Sequence, residues 1–191
     1  TLNHLIGKNE IDLAYNAWLQ HLSSEQLAAA GLINNASFEL EPTGLPFDWQ
    51  FARGKNASAV IVPLGEPGGQ HALHLSFGNG RIIFPEAIQI IRLSPGRYHL
   101  EGKIRGKIVA KRGLRWQIRC VNGAAQVLAA SEMLQGEPGS WSTFSLELEV
   151  PDSKDCQAQK LRLFHDARSS SEQLITGEAW FDDLRLSRSR G

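Results

Sequence analysis

The chain has 191 residues, 42% hydrophobic and 21% charged, enough apolar side chain for one domain with a real core plus a small extra element. Its 20 basic and 20 acidic residues cancel, which argues against a nucleic-acid binder, where a basic excess must meet the phosphates. No apolar run reaches the roughly 18 residues that a membrane-spanning helix needs.

The chain begins at Thr1 rather than Met, as a processed form or a fragment would, so the lack of a visible signal peptide carries no information about location. The first stretch, "NEIDLAYNAWLQHL", sets Ile11, Ala14, Tyr15, Trp18, Leu19 and Leu22 at steps of three and four, the spacing of one apolar helix face. Asn9 is the candidate cap. In "SSEQLAAAG", Ser23 or Ser24 caps a second helix that Gly31 stops. Two short antiparallel helices over residues 1–31 are the expectation. They pack on the main domain or form the last pair of a helical repeat array, and one pair does not separate these readings.

From Leu32 the period changes from that of a helix to alternation by two. Strands are predicted near 33–40, 47–53, 58–63, 71–77, 86–93, 97–109, 114–121, 126–134, 141–150, 159–166 and 179–187, with turns at signals such as "GEPGG", "SPG" and "KRG". Short strands at this spacing, with no helical pattern between them, mean a mainly β, antiparallel sandwich or barrel rather than a parallel α/β fold. The β domain is expected over 32–188, and the polar tail 189–191 is expected to be disordered.

Within this domain four segments stand in order: "INNASFEL" followed by Trp49, "QIIRLSPGRYHLEGKIRGK", "WSTFSLELEVPD" and "AWFDDLRL". They resemble the first strand, the central segment, the Trp-led strand and the closing Asp-Asp strand of the family 4 and 9 carbohydrate-binding modules, within the galactose-binding-like jelly-roll group. The resemblance runs from Leu32 to Arg188. It implies a jelly-roll β-sandwich acting as a non-catalytic, polysaccharide-binding module of a larger exported bacterial protein. The same sandwich also serves as a structural or protein-interaction domain with no glycan ligand, and that alternative stays open. The helical front resembles the end of a tetratricopeptide-repeat segment, which implies upstream repeats or a protein partner.

Related modules hold a structural calcium where the first and last strands meet. The matching carboxylates are Glu39 and Asp182, with Asp183 as the substitute. In "AWFDDLRLSR", Trp180, Asp182, Leu184 and Leu186 share one parity, so Asp182 is expected on the core face. A carboxylate there must be paired, hydrogen-bonded or bound to a cation. Calcium takes six to eight oxygens, many from backbone, so sequence reveals only part of such a site. Backbone N–H groups or an arginine would satisfy the acid equally.

Cys120 and Cys156 are too few for a zinc site. They are either two free thiols or a disulfide, and the disulfide is the expectation. It would close a loop of about 37 residues, worth roughly 4 kcal/mol in the chain-entropy model, and would point to an exported, periplasmic or extracellular protein.

The sequence has no G-x-S-x-G elbow, H-E-x-x-H helix or Walker loop, so no enzyme is expected. Strand parity turns His74, Lys103, Arg105, Arg115, Gln117, Arg119, Arg162 and Phe164 away from the core. If their strands are neighbours, the planar cations suit a polar or acidic polysaccharide. Trp49, Trp116, Trp141 and Trp180 fall where the core claims them, which leaves no aromatic platform for a sugar ring. The plainer reading of the same residues is a solvated sheet of mixed charge.

Overall fold

The structure, a computed structural model, describes residues 1–190. Two antiparallel five-stranded sheets face each other across one apolar core. The front sheet has the order β1 (Gln50–Phe51), β4 (Ala87–Ile91), β9 (Gln159–His165), β6 (Leu114–Cys120), β7 (Val127–Ala130). The back sheet has the order β2 (Ala57–Pro63), β3 (His71–Phe77), β10 (Ile175–Arg188), β5 (Gly96–Ala110), β8 (Ser142–Val150). Alternation decides which side chains enter the core. In β6, Leu114, Trp116, Ile118 and Cys120 are buried while the residues between them are not. β5 obeys the same rule over its whole length, with Tyr98, Leu100, Ile104 and Ile108 inward.

Three short helices precede the sandwich: α1 (Leu2–Gly7), α2 (Ile11–Leu19) and α3 (Ser24–Ala28). Ile6, Ile11, Ala14 and Trp18 pack on Phe47, Ile90 and Ala158, an apolar cluster distinct from the sandwich core. Because Ile90 points outward from β4, the helices cover part of the outer side of the front sheet. Ser23 closes a capping box with Gln26. Asn9 caps nothing: it takes φ 61° between α1 and α2, and its amide donates to the Lys154 carbonyl at 2.8 Å.

Residues 33–40 form no strand. Asn35 and Phe38 have φ of 51° and 54°, and the asparagines bind backbone in place of a ladder. Asn34 Nδ2 donates to the Phe47 carbonyl at 2.7 Å, and the Leu40 N–H donates to Asn35 Oδ1 at 3.1 Å. Phe38 still reaches the core, stacked on Trp49 with ring centroids 5.2 Å apart. The strand expected near 47–53 shrinks to Gln50–Phe51. Cys120 and Cys156 form a disulfide, their Cα atoms 4.7 Å apart, which ties the end of β6 to the turn before β9. In the tail, the Ser189 N–H donates to the Arg97 carbonyl at 3.0 Å, so this residue is held rather than frayed. Gly191 lies outside the described residues.

Candidate functional site

The seven residues expected to share one ligand surface divide between two. Arg115, Gln117, Arg119 and Arg162 lie on the outer face of the front sheet, and His74, Lys103 and Arg105 on the outer face of the back sheet. Parity placed them all outward, but it cannot tell which sheet a strand joins. Residues 111–113 carry the chain from β5 in the back sheet to β6 in the front sheet, so these strands are not neighbours.

On the front face the cations stand in register. β6 pairs with β9 so that Gln117 lies opposite Arg162 and Arg119 opposite Lys160. Arg162 donates through Nε to Gln117 Oε1 at 3.0 Å and through Nη1 to Glu86 at 3.3 Å. Its guanidinium also lies 4.2 Å from the Phe164 ring centroid. Phe164, expected to be exposed, is therefore buried beneath Arg162. Arg115 donates to the Ser131 carbonyl at 2.7 Å and to Asp166 at 3.1 Å. Burial pushes the Asp166 carboxyl up, but bonds from Arg112 and Arg115 outweigh it and hold the group below its ordinary value.

Arg119 and Lys160 differ from their neighbours: among the described residues neither has an acidic partner within 4.0 Å. Like charges directly across a strand pair destabilise the sheet. Burial first, then the charges of Arg119 and Arg162, push the Lys160 ammonium below its ordinary value, and the Glu86 charge opposes them without forming an ion pair. Burial also lowers Arg162; Glu86 opposes this and Arg119 adds to it.

The back face is composed differently. Trp180 lies opposite His74 on one side and Arg105 on the other. His74 stacks on it at 4.7 Å, and the Arg105 guanidinium lies 5.1 Å from Trp180 and 4.8 Å from Trp141. The expectation that the core claims all four tryptophans fails here. Trp49 and Trp116 are fully buried, whereas Trp141 and Trp180 are half-buried on the outer face. The cations of this row have partners, Arg105 with Glu66 at 3.3 Å and Lys103 with Asp183 at 3.0 Å, and the His74 ring is bonded to Glu178 at 2.9 Å.

Asp182 is buried, but not on the core side. Ala179 and Phe181 face the core, so Trp180 and Asp182 face outward. A bulge between Asp182 and Arg185, with Asp183 at φ 47°, then turns Leu184 inward. The segment before Leu40 lies alongside: the Leu184 N–H donates to the Ala36 carbonyl at 3.1 Å, and Ser37 Oγ to Asp183 at 3.3 Å. Burial is the main force that pushes the Asp182 carboxyl up to about 6. The Asp183 N–H, at 2.7 Å, and Lys103 oppose the rise, while the Asp183 and Glu39 charges add to it. Glu39 is held by His71, accepting its backbone N–H at 3.1 Å. Among the described residues no three His, Cys, Asp or Glu side chains gather as a metal cluster.

No protein-family model and no curated protein matches the chain. Solved structures do match in fold. A protein from Bacteroides thetaiotaomicron VPI-5482, provisionally described as sugar binding, superposes with a TM-score of 0.61 at 10% identity over 84% of this chain and 100% of its own. A CBM4 structure gives 0.54 at 18% identity, over 82% and 99%. The CBM22-2 xylan-binding domain of Xyn10C from Paenibacillus barcinonensis gives 0.52 at 12% identity, over 81% and 98%. The sandwich thus shares its jelly-roll fold with these structures.

Proposed function

We propose that the chain is a non-catalytic carbohydrate-binding module whose front face takes an acidic polysaccharide. The observation that carries this reading is the pair of opposed cations, Arg119 and Lys160, which lack an acidic partner among the described residues. A carboxylate on a sugar ring would relieve their repulsion. Beside them Arg162 and Gln117 are linked to each other, so their planar groups are held ready for ring hydroxyls. The disulfide supports an exported setting for the parent protein.

The Glu39 and Asp182 carboxylates supply hard oxygen donors, and Asp182 is a buried acid repelled by two others. This donor chemistry suits calcium, with backbone carbonyls as the remaining ligands. The ion would bring Asp182 back to its charged form and tie the closing strand to the segment before Leu40.

A protein-interaction role is the second reading, motivated by the exposed Leu13, Leu27 and Leu32 of the helical front. Titration calorimetry separates the two. The glycan reading expects polygalacturonate to bind, binding to weaken as salt rises, and neutral xylan to bind less well. No heat and no retention with any acidic polysaccharide at millimolar sugar would reject it.

A further inference from the structure

A sandwich has four sheet edges, and each exposes unpaired backbone that can recruit another strand. Three of them are blunted in this molecule. β1 has only two residues. β7 has four and loses register with β6 at Ile118/Arg119. β8 points Glu147 and Glu149 into solvent. The fourth, β2, is blunted only at its end, by Pro63. Its seven residues, "ASAVIVP", contain no charge, and among the described residues they pair only with β3.

The register shows which groups are free. The Leu64 N–H donates to the Gln70 carbonyl and the Gly78 N–H to the Asn56 carbonyl, so even-numbered residues turn their backbone toward β3. Ala57, Ala59 and Ile61 therefore turn their N–H and C=O groups away from the sheet. Pro63, which has no N–H, falls on the open side, where it costs the single chain no ladder bond; opposite a partner's residue 57 it forgoes one bond at each end of the pairing. Val60 projects from the outer face and is 48% exposed, a large apolar side chain with no evident use in the monomer.

We infer that β2 pairs antiparallel with β2 of a second copy of this chain, about a two-fold axis at Val60. That axis sets Ala59 opposite the partner copy's Ile61 and Ile61 opposite its Ala59, so the open N–H and C=O groups of both are satisfied. The two Val60 side chains meet at the centre as a non-hydrogen-bonded pair, the closest kind of cross-strand contact. The ends are complementary as well. Residues 53–55, with Arg53 and Lys55, come beside the partner copy's residues 65–67, where Glu66, also 3.3 Å from Arg105 of its own copy, meets them as the one acid. Parallel pairing would set each of these charges against its like. The two back sheets become one ten-stranded sheet, and the front faces stay open on both copies for multivalent contact with a polymer.

Sedimentation over a concentration series, with engineered cross-linking, tests this. The wild-type chain is expected to sediment as a dimer that dissociates on dilution. Val60→Lys, which sets two ammonium groups face to face at an exposed position, is expected to sediment as a monomer with unchanged circular dichroism. In a non-hydrogen-bonded antiparallel pair the Cα atoms lie about 4.5 Å apart, inside the range that a disulfide spans. Val60→Cys is therefore expected to oxidise to a covalent dimer, while Val109→Cys, equally exposed on β5, does not. Overturning results are a wild-type monomer at millimolar concentration with Val60→Cys cross-linking no faster than Val109→Cys, or a dimer that survives Val60→Lys intact. If Val60→Lys fails to fold, the two cysteine variants decide the matter.

Discussion

The outer faces of the two sheets carry similar residue types in opposite electrostatic states. On the back face each cation of the tryptophan row has its own acid, and two tryptophans fill the space between them. On the front face Arg162 and Arg115 are anchored by Glu86 and Asp166, while Arg119 and Lys160 oppose each other across the strand pair, neither in an ion pair among the described residues, and only the more distant Glu86 charge offsets Lys160. A neutralised row contributes to stability and has little charge left for a ligand. A row with uncompensated, half-buried charge is costly in the free protein, and that cost becomes affinity when an anion binds. Listing outward residues therefore does not distinguish the two faces; the ion-pair balance of each does.

Replacements matched across the two faces sharpen this contrast. The largest effect is expected from Arg162→Ala, which should weaken binding of acidic polysaccharide roughly 100-fold by calorimetry, since an arginine at the centre of a site commonly contributes that much. Arg105→Ala on the back face should leave the same titration unchanged.

Asp182 offers the next largest effect. Its folded value of about 6 lies above the ordinary 3.8, so the native state binds the extra proton between those values. Stability from this group is then greatest below about pH 4 and falls as pH rises through 6. In chelator, Asp182→Asn should raise stability at pH 7 by about 2–3 kcal/mol in urea unfolding and change little at pH 4. The proposed calcium site expects the gain to vanish or reverse when calcium is present, because the variant would lack one of its carboxylates.

Trp180→Ala should cost about 2 kcal/mol in the same unfolding experiment, less than a fully buried tryptophan, and leave glycan binding intact. The smallest effect belongs to His99, whose proton affinity is raised chiefly by its bond to Glu147. Its contribution is complete below pH 6.5 and fades as pH rises through the higher folded value. His99→Gln should slightly flatten the fall in melting temperature between pH 6 and pH 8.

Much of the sandwich was legible because alternation is a local property. β3, β5, β6 and β9 fall at or within a residue of their expected positions, and their core residues are the expected ones. The misreadings have non-local or turn-chemical causes. The strand expected near 33–40 does not form, because consecutive asparagines with serine favour backbone-binding turns. Trp180 was assigned inward because the bulge at Asp182–Asp183 shifts the alternation between Phe181 and Leu184. Phe164 was assigned outward by correct parity, yet Arg162 covers it. Lys160 is not among the expected site residues, because its significance depends on Arg119 across the ladder, and sequence alone does not show pairing.

The most direct test of the central claim is a titration of the double variant Arg119→Ala, Lys160→Ala with polygalacturonate and with neutral xylan at two salt concentrations. If uncompensated charge on the front face selects the ligand, the variant should lose most of its affinity for the acidic polymer, together with the salt dependence, and bind xylan as before. Unchanged affinity for the acidic polymer, with its salt dependence intact, would contradict the account.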